Sequence, residues 1–311
     1  MSTSTIPSTT TAMASEKTFL AYTPSQGKVY AEARRDYHRS VYDAVLSYHT
    51  SGGGELDTLL DIGCGPGTAT RRLGGHFEHA IGLDASAGMV ETARTLGGTT
   101  ATGEKIRFEV STSDKLVEGD CCVDVIVAAT AAHWFEMSSF WRRAAQVLRP
   151  GGSVALWCSG ESSVHSSTPN AGAIQAALER IREEERLDDF FEEGNRLVRA
   201  GYVDLPLPWT VEPGVQGFER ASFVRREWGF GDEFYAGQME VDLDTFEKVL
   251  GTASPITRWR EAHRDAVGSE RDIVRRYRRA IETLLHEAGV QPGQERVRGA
   301  VTGVLLMVRR T

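Results

Sequence analysis

Residues 59–68 read LLDIGCGPGT. Two leucines run into Asp61, and Gly63, Gly65 and Gly67 follow at alternate positions. A short apolar run that ends in glycines is the form of a buried strand turning at once into a helix. Without a Cβ, the backbone there can take positive φ and approach a ligand closely.

Three ligand classes use such a junction. Nucleoside triphosphates require GxxxxGK[ST]. Here Thr68 and Thr70 stand five positions after Gly63 and Gly65, and no lysine follows, so that class is excluded. Dinucleotides require GxGxxG. Gly63 and Gly65 fit, but the third place falls on Thr68, and Gly67 comes one residue early. The third class is a nucleoside sulfonium, S-adenosylmethionine. It carries no phosphate, and its amino group should meet a carboxylate. Asp61 stands immediately before the glycines. Asp84 follows 23 positions later, where a carboxylate can accept both hydroxyls of a ribose.

The surroundings support a doubly wound α/β fold. TLLDI (58–62), HAIGLD (79–84), KIRFEV (105–110), VDVIVAAT (123–130) and SVALW (153–157) read as strands. Helical segments separate them: one opening at 68–73, one capped by Ser86 with Met89, Val90, Ala93 and Leu96 on one face, and SSFWRRAAQVL (138–148), stopped by Pro150 and a glycine pair. Strands alternating with helices over such lengths form a parallel sheet with helices on both faces. Before the sheet, Val41, Ala44, Val45 and Tyr48 share a helical face that SGGGE (51–55) interrupts. After Cys158 the rhythm stops. Residues 170–200 read as two charged helices divided near Leu187, 221–228 as a strand, 242–250 and 269–288 as helices, and GAVTGVLLMVRR (299–310) as an apolar strand.

Composition bounds the function. The 311 residues carry 35 Lys+Arg against 43 Asp+Glu, a net charge of −8, so bulk charge argues against nucleic acid or anionic lipid as partner. No run reaches the roughly 18 apolar residues of a membrane span. Cys64, Cys121, Cys122 and Cys158 form neither a zinc pattern nor a disulfide framework, which suggests a reducing, cytoplasmic compartment and no metal. The first 17 residues, Ser/Thr-rich and without arginine, read as a disordered tail rather than a signal or transit peptide.

Residues 59–157 resemble the class I S-adenosylmethionine-dependent methyltransferases. LLDIGCGPG, IGLDAS, STSDKL and LRPGGSVAL carry the likeness in order and spacing. A narrower resemblance, through AYTPSQGKVYAEARRDYHRSVYDAVL, AAHWF and SPITRWREAH, is to the fungal branch of trans-aconitate methyltransferase-like proteins. The family implies a Rossmann-like, seven-stranded, mostly parallel sheet, an N-terminal helical lid and a helical insertion after strand five. The expected division is a tail (1–17) and one methyltransferase domain (18–311). Within the domain come a lid (18–50), a cofactor-binding half (56–158), substrate-side helices and loops (159–298) and a C-terminal strand (299–311).

The resemblance also implies roles for residues. Asp61 lies near the cofactor's amino group, and Gly63, Cys64 and Gly65 pass beneath its methionine part. Asp84 holds the ribose, while Ala85 and Met89 flank the adenine. Ser113 and Asp114 reach the adenine amino group, although the family often has Glu where Ser113 stands. Thr130 and Ala131 face the sulfonium. Gln26 reaches the cofactor from the lid.

The substrate side is expected beyond strand four and on the lid. His133 is a candidate general base for a hydroxyl nucleophile or a hydrogen-bond partner of a substrate oxygen. Trp134 is a candidate pocket wall. Tyr22, Tyr30, Arg34, Arg35 and Tyr37 place aromatics and guanidinium groups before the sheet, where an arginine could clamp a carboxylate. Trp209, Trp228, Arg258 and Trp259 together suggest an aromatic pocket with some positive charge. The expected chemistry is methyl transfer to a small-molecule oxygen, most simply a carboxylate. A phenol or alcohol, a macromolecular acceptor, or cofactor binding without transfer are the alternatives.

Overall fold

The structure is a computed structural model that describes residues 18, 20, 22–115, 119, 121–237 and 239–311; the tail expected over 1–17 lies outside them. The chain enters through α1 (Pro24–Ala33), opened by Pro24 and a reciprocal capping box between Thr23 and Gln26. Next, α2 (Arg39–Ser51) buries Val41, Tyr42, Ala44 and Val45, the face its spacing predicts, and ends at Gly52.

The alternating part follows: β1 (Thr58–Ile62), α3 (Thr68–Gly74), β2 (His79–Asp84), α4 (Ala87–Leu96), β3 (Arg107–Val110), β4 (Val123–Ala129), a 3₁₀ turn at Ala132–Trp134, α5 (Met137–Val147) and β5 (Leu148–Val164). Ser86 caps α4 by accepting from the Met89 amide. Leu96, expected on its inner face, is 51% exposed instead, because the helix ends there at Gly97. Pro150 and the glycine pair do not merely stop α5. They form an irregularity inside β5, where Val123 pairs with Leu148 and Val125 already pairs with Ser153.

The second half contains α6 (Ala171–Glu184), a 3₁₀ turn at Leu187–Phe190, α7 (Glu193–Arg199), β6 (Val224–Trp228), β7 (Glu240–Asp242), α8 (Leu243–Gly251), α9 (Ser254–Ala262), α10 (Ile273–Glu287) and β8 (Arg296–Arg309). The sheet order is β3-β2-β1-β4-β5-β8-β6, with β7 attached to β8. Strands β1 to β5 pair in parallel, and β8 inserts antiparallel between β5 and β6. The sheet therefore has eight strands, not seven. The extra strand, β7, spans only three residues beside Arg296–Arg298 and is too short to show in the sequence pattern.

Two apolar layers sandwich the sheet. Leu60, Ile126, Leu156 and Leu306 face α5 and the loop around Tyr202. Leu59, Val125, Trp157 and Leu305 face α2 to α4 and Phe234. Strands β5 and β8 outrun this sheet and continue pairing as far as Val164 with Gly299. The overrun carries the helical insertion, whose own core joins Ile181, Ile256, Trp259, Ile273 and Tyr277.

Candidate functional site

The strand order reverses between β1 and β4, so their carboxyl ends open a crevice at a topological switch point, the usual ligand position in such sheets. The three glycines after β1 all have positive φ: Gly63 at +67°, Gly65 at +53° and Gly67 at +81°. Their spatial constraints differ. A Cβ on Gly63 would lie 2.5 Å from that of Ala131, and one on Gly67 would lie 2.7 Å from the Phe108 ring. At Gly65 a Cβ would meet nothing within 4 Å. That glycine lines open space, which is what a ligand-facing turn requires. Cys64 between them is buried, its amide bonded to the Leu83 carbonyl at 3.0 Å, and burial pushes its thiol pKa well up.

Two carboxylates flank this turn. Asp61 is fully buried; Oδ2 accepts from Thr70 Oγ1 at 2.6 Å, while Oδ1 is buried without a partner among the described residues. Burial, opposed by the Thr70 hydrogen bond and aided by the charge of Asp84, pushes the Asp61 carboxyl up to about 7. An orphaned buried acceptor is costly, and a cationic amino group is a partner that would satisfy it. Asp84 accepts from the Gly65 amide through Oδ2 and from the Ser86 amide through Oδ1, both at 2.8 Å. Burial raises its pKa and these two bonds lower it. A carboxylate offers about four acceptor positions, so capacity remains for ribose hydroxyls. The open turn, the unpartnered Asp61 oxygen and Asp84 fit S-adenosylmethionine.

Of the other cofactor candidates, Ala85 is exposed and Met89 is buried in the first turn of α4. Half-buried Ser113 and exposed Asp114 follow β3, in a turn tied to the end of β2 by the Ser111 amide on the Asp84 carbonyl at 3.0 Å. A Thr112 hydrogen bond holds Asp114 below the usual carboxylate range.

Beyond β4 the backbone is strained at Thr130, whose φ of +53° is unusual for a β-branched residue. Its amide donates to the Trp157 carbonyl at 2.7 Å, and its hydroxyl lies 2.8 Å from that of Tyr37. Ala131 follows against Gly63. His133 is buried, with Nδ1 2.8 Å from the Tyr202 hydroxyl, which also meets the Cys158 thiol. Burial lowers the His133 pKa to about 3, so its imidazole is neutral at physiological pH. Trp134 is half-buried and leans on His133, with ring centroids 4.6 Å apart. Its ring crowds Gly194 at the start of α7, where a Cβ would come within 2.6 Å.

The N-terminal segment docks by close approach. A Cβ on Gly88 would lie 2.1 Å from the Tyr22 carbonyl oxygen, and one on Gly27 would lie 2.5 Å from Thr92 Oγ1. Tyr22 and Tyr30 meet edge to face at 6.3 Å, and the Arg34 guanidinium lies 4.8 Å over the Tyr30 ring. Residues 36–38 pair with 234–236 through the Ala236 and His38 amides, and Tyr37 stacks on Tyr235 at 5.4 Å. Gln26 serves in the α1 capping box. It also lines a cavity of about 460 Å³ with residues of α8 and α9, and no residue of the glycine turn borders that cavity.

One expectation fails. Trp209, Trp228, Arg258 and Trp259 do not gather into one pocket. Trp209 packs with Phe223 on one sheet face, Trp228 with Phe234 on the other, and Trp259 sits inside the helical insertion. Arg258 is tied to Glu192, Asn195 and the Phe190 carbonyl. Conversely, Tyr202, Tyr235 and Thr252 were not singled out from sequence. They lie in segments with no periodic signal and meet the site only through folding. Among the described residues, Asp57, Glu78 and His79, and likewise Glu282, His286 and Glu295, cluster closely enough to share an ion. In the first group His79 already pairs with Glu104 and Asp57 with Arg149; in the second His286 pairs with Glu295.

Residues 60–156 match the family model described as "Methyltransferase domain". A Dictyostelium discoideum methyltransferase is 28% identical over 181 residues, covering 58% of this chain and 64% of that protein. A Saccharomyces cerevisiae S-adenosylmethionine-dependent methyltransferase is 30% identical over 129 residues, covering 41% of this chain and 43% of that protein. The match thus spans less than two thirds of either relative. A solved type II methyltransferase of Anaeromyxobacter dehalogenans shares the fold at TM-score 0.59 and 21% identity, covering 89% of this chain and 97% of that one. Residues 60–156 thus match a methyltransferase domain, and the chain has a Rossmann-like fold.

Proposed function

We propose that this protein transfers a methyl group from S-adenosylmethionine to an oxygen of a small molecule, and that this oxygen belongs to a carboxylate. When bound, S-adenosylmethionine supplies a methyl on a cationic sulfur, which an oxygen lone pair displaces while the S–C bonding pair leaves on sulfur. The residues of the chain orient and enclose. Asp61 would accept from the amino group through its unpartnered Oδ1. Asp84 would accept from the ribose, with Ala85 and Met89 beside the adenine and Ser113 and Asp114 beyond it. The backbone at Gly63, Cys64 and Gly65 would run beneath the methionine part, opposite Thr130 and Ala131. Positioning and exclusion of water account for most of the acceleration such a displacement needs.

The observation that favours a carboxylate is the state of His133. A phenol or alcohol must lose a proton, and an efficient base has a pKa near the working pH. His133 is buried, engaged at Nδ1, and lowered to about 3. A carboxylate arrives already ionised and needs no base. The narrower likeness to trans-aconitate-type proteins points the same way. The second reading, methylation of a hydroxyl, would use the other ring nitrogen of His133 beside Trp134. A cofactor-binding protein without transfer is the third. The function fits the cytoplasm, where the four free cysteines would stay reduced.

The test uses methyl-labelled S-adenosylmethionine with panels of carboxylic acids and phenols. Label released as methanol by mild base marks a methyl ester and supports the proposal. Base-stable label marks an ether and moves His133 to the centre. Cofactor binding with no transfer to any acceptor supports the third reading.

A further inference from the structure

Arg34 has an environment the cofactor does not explain. Its Nη2 donates to the Thr252 carbonyl at 3.2 Å, and its Nε is buried with no partner among the described residues. No carboxylate pairs with it among the described residues. Tyr30, Tyr235, Tyr37 and Tyr22 stand around it, close enough to act on its charge. Arg309 and Arg310 also have unpartnered Nε atoms, but each makes two further hydrogen bonds from its guanidinium. Arg34 is half-buried among aromatic rings, and a cation partly withdrawn from water without a counter-ion is suited to an anion with the geometry of a carboxylate.

Two neighbours connect Arg34 to the places that matter. Toward the sheet, Tyr37 stacks on Tyr235 and reaches Thr130 at the end of β4. Toward the outside, Tyr22 and Thr252 belong both to the surroundings of Arg34 and to the cavity of about 460 Å³ between α1 and the α8–α9 pair. Val29, Gly251, Thr257, Glu261 and Arg264 also line it, and most of its exposed wall area is apolar. That volume lies within the range of small-molecule sites, roughly 300–1,000 Å³. Arg260, a further cation in the wall, is already paired with Asp272.

We infer that Arg34 holds the carboxylate of the methyl acceptor, and that the apolar body of the same molecule extends into the cavity between α1 and α9. The acceptor is then an amphipathic monocarboxylic acid. A compact polyacid would leave the apolar part of the cavity unfilled. The inference rests on the methyl-transfer reading for the word acceptor, but the acid site stands on its own geometry.

Calorimetry on the full chain tests it, using octanoate, octanol and citrate as probes, each with and without S-adenosylhomocysteine. Octanoate should bind at least about tenfold more tightly than octanol or citrate, the scale of one charge-assisted contact. Arg34→Gln should bring octanoate down to the level of octanol while S-adenosylhomocysteine binds as before. Val29→Trp, at an exposed helix position, should shorten the longest fatty acid that binds and leave acetate unaffected. Equal octanoate affinity in wild type and Arg34→Gln would overturn the inference, as would tighter binding of citrate. Failure of S-adenosylhomocysteine to bind wild type would instead refute the methyltransferase reading; the acid titrations without it still decide the role of Arg34.

Discussion

The turns after β1 and after β4 sit side by side at the same crevice, yet they are built on opposite plans. After β1 the chain leaves room: glycines at positive φ, open space at Gly65, and an acceptor on Asp61 without a partner among the described residues. After β4 the polar groups turn inward. Thr130 meets Tyr37, and His133 meets Tyr202. A ligand site needs both. One wall offers unsatisfied groups to the ligand, and the other is rigidified by groups that satisfy each other.

The contrast can be broken at its hinge. Gly63→Ala would force a Cβ against Ala131 and strain a positive φ, so about 3 kcal/mol of stability should be lost in chemical denaturation. A smaller loss would mean that the two turns move independently. On the open wall, Asp84→Ala should weaken S-adenosylhomocysteine binding at least about tenfold by calorimetry. Unchanged affinity would remove Asp84 from the ribose.

Asp61 provides a pH signature of the same wall. With its pKa raised to about 7, the free protein holds a proton there that a bound ammonium group would displace. Affinity for S-adenosylhomocysteine should rise about tenfold from pH 6 to pH 8, with proton release visible in buffers of different ionisation enthalpy. The sign for folding is opposite. A carboxyl whose folded pKa is raised binds its proton more tightly than the unfolded chain does. Stability of the ligand-free protein therefore falls as pH rises from about 4 to about 7, and Asp61→Asn should flatten that slope.

On the closed wall the effects are smaller. Tyr202→Phe leaves the His133 Nδ1 without its partner and should cost about 1–2 kcal/mol, read by denaturation, without moving the pH profile of ester formation. A shifted profile would show that His133 takes part in proton transfer. Thr130→Gly relieves the positive φ but removes the hydroxyl at Tyr37, so its net effect should stay within about 1 kcal/mol.

Legibility follows the same division. LLDIGCGPG and Asp84 announce their geometry because glycine and a strand-end carboxylate act through their own backbone positions. The strands were readable for a similar reason: a fully apolar run such as VDVIVAA can lie only between two covered faces. The three-residue β7 gave no such signal, and neither did the inward loop that presents Tyr202. The aromatic residues of the second half misled because tryptophan fills cores as readily as it lines pockets. Three separate cores claim Trp209, Trp228 and Trp259.

By itself, then, the amino-acid sequence determined the sheet's parallel half, the turn that faces the crevice and the two carboxylates that flank it, since each depends on neighbours a few positions apart. Only the tertiary structure decided that His133 is sealed against Tyr202, 69 residues away, and that Arg34 meets Thr252, 218 residues away, with no counter-ion beside it among the described residues. Burial and pairing are properties of what surrounds a side chain. For these residues the surroundings come from distant segments, which no local pattern encodes.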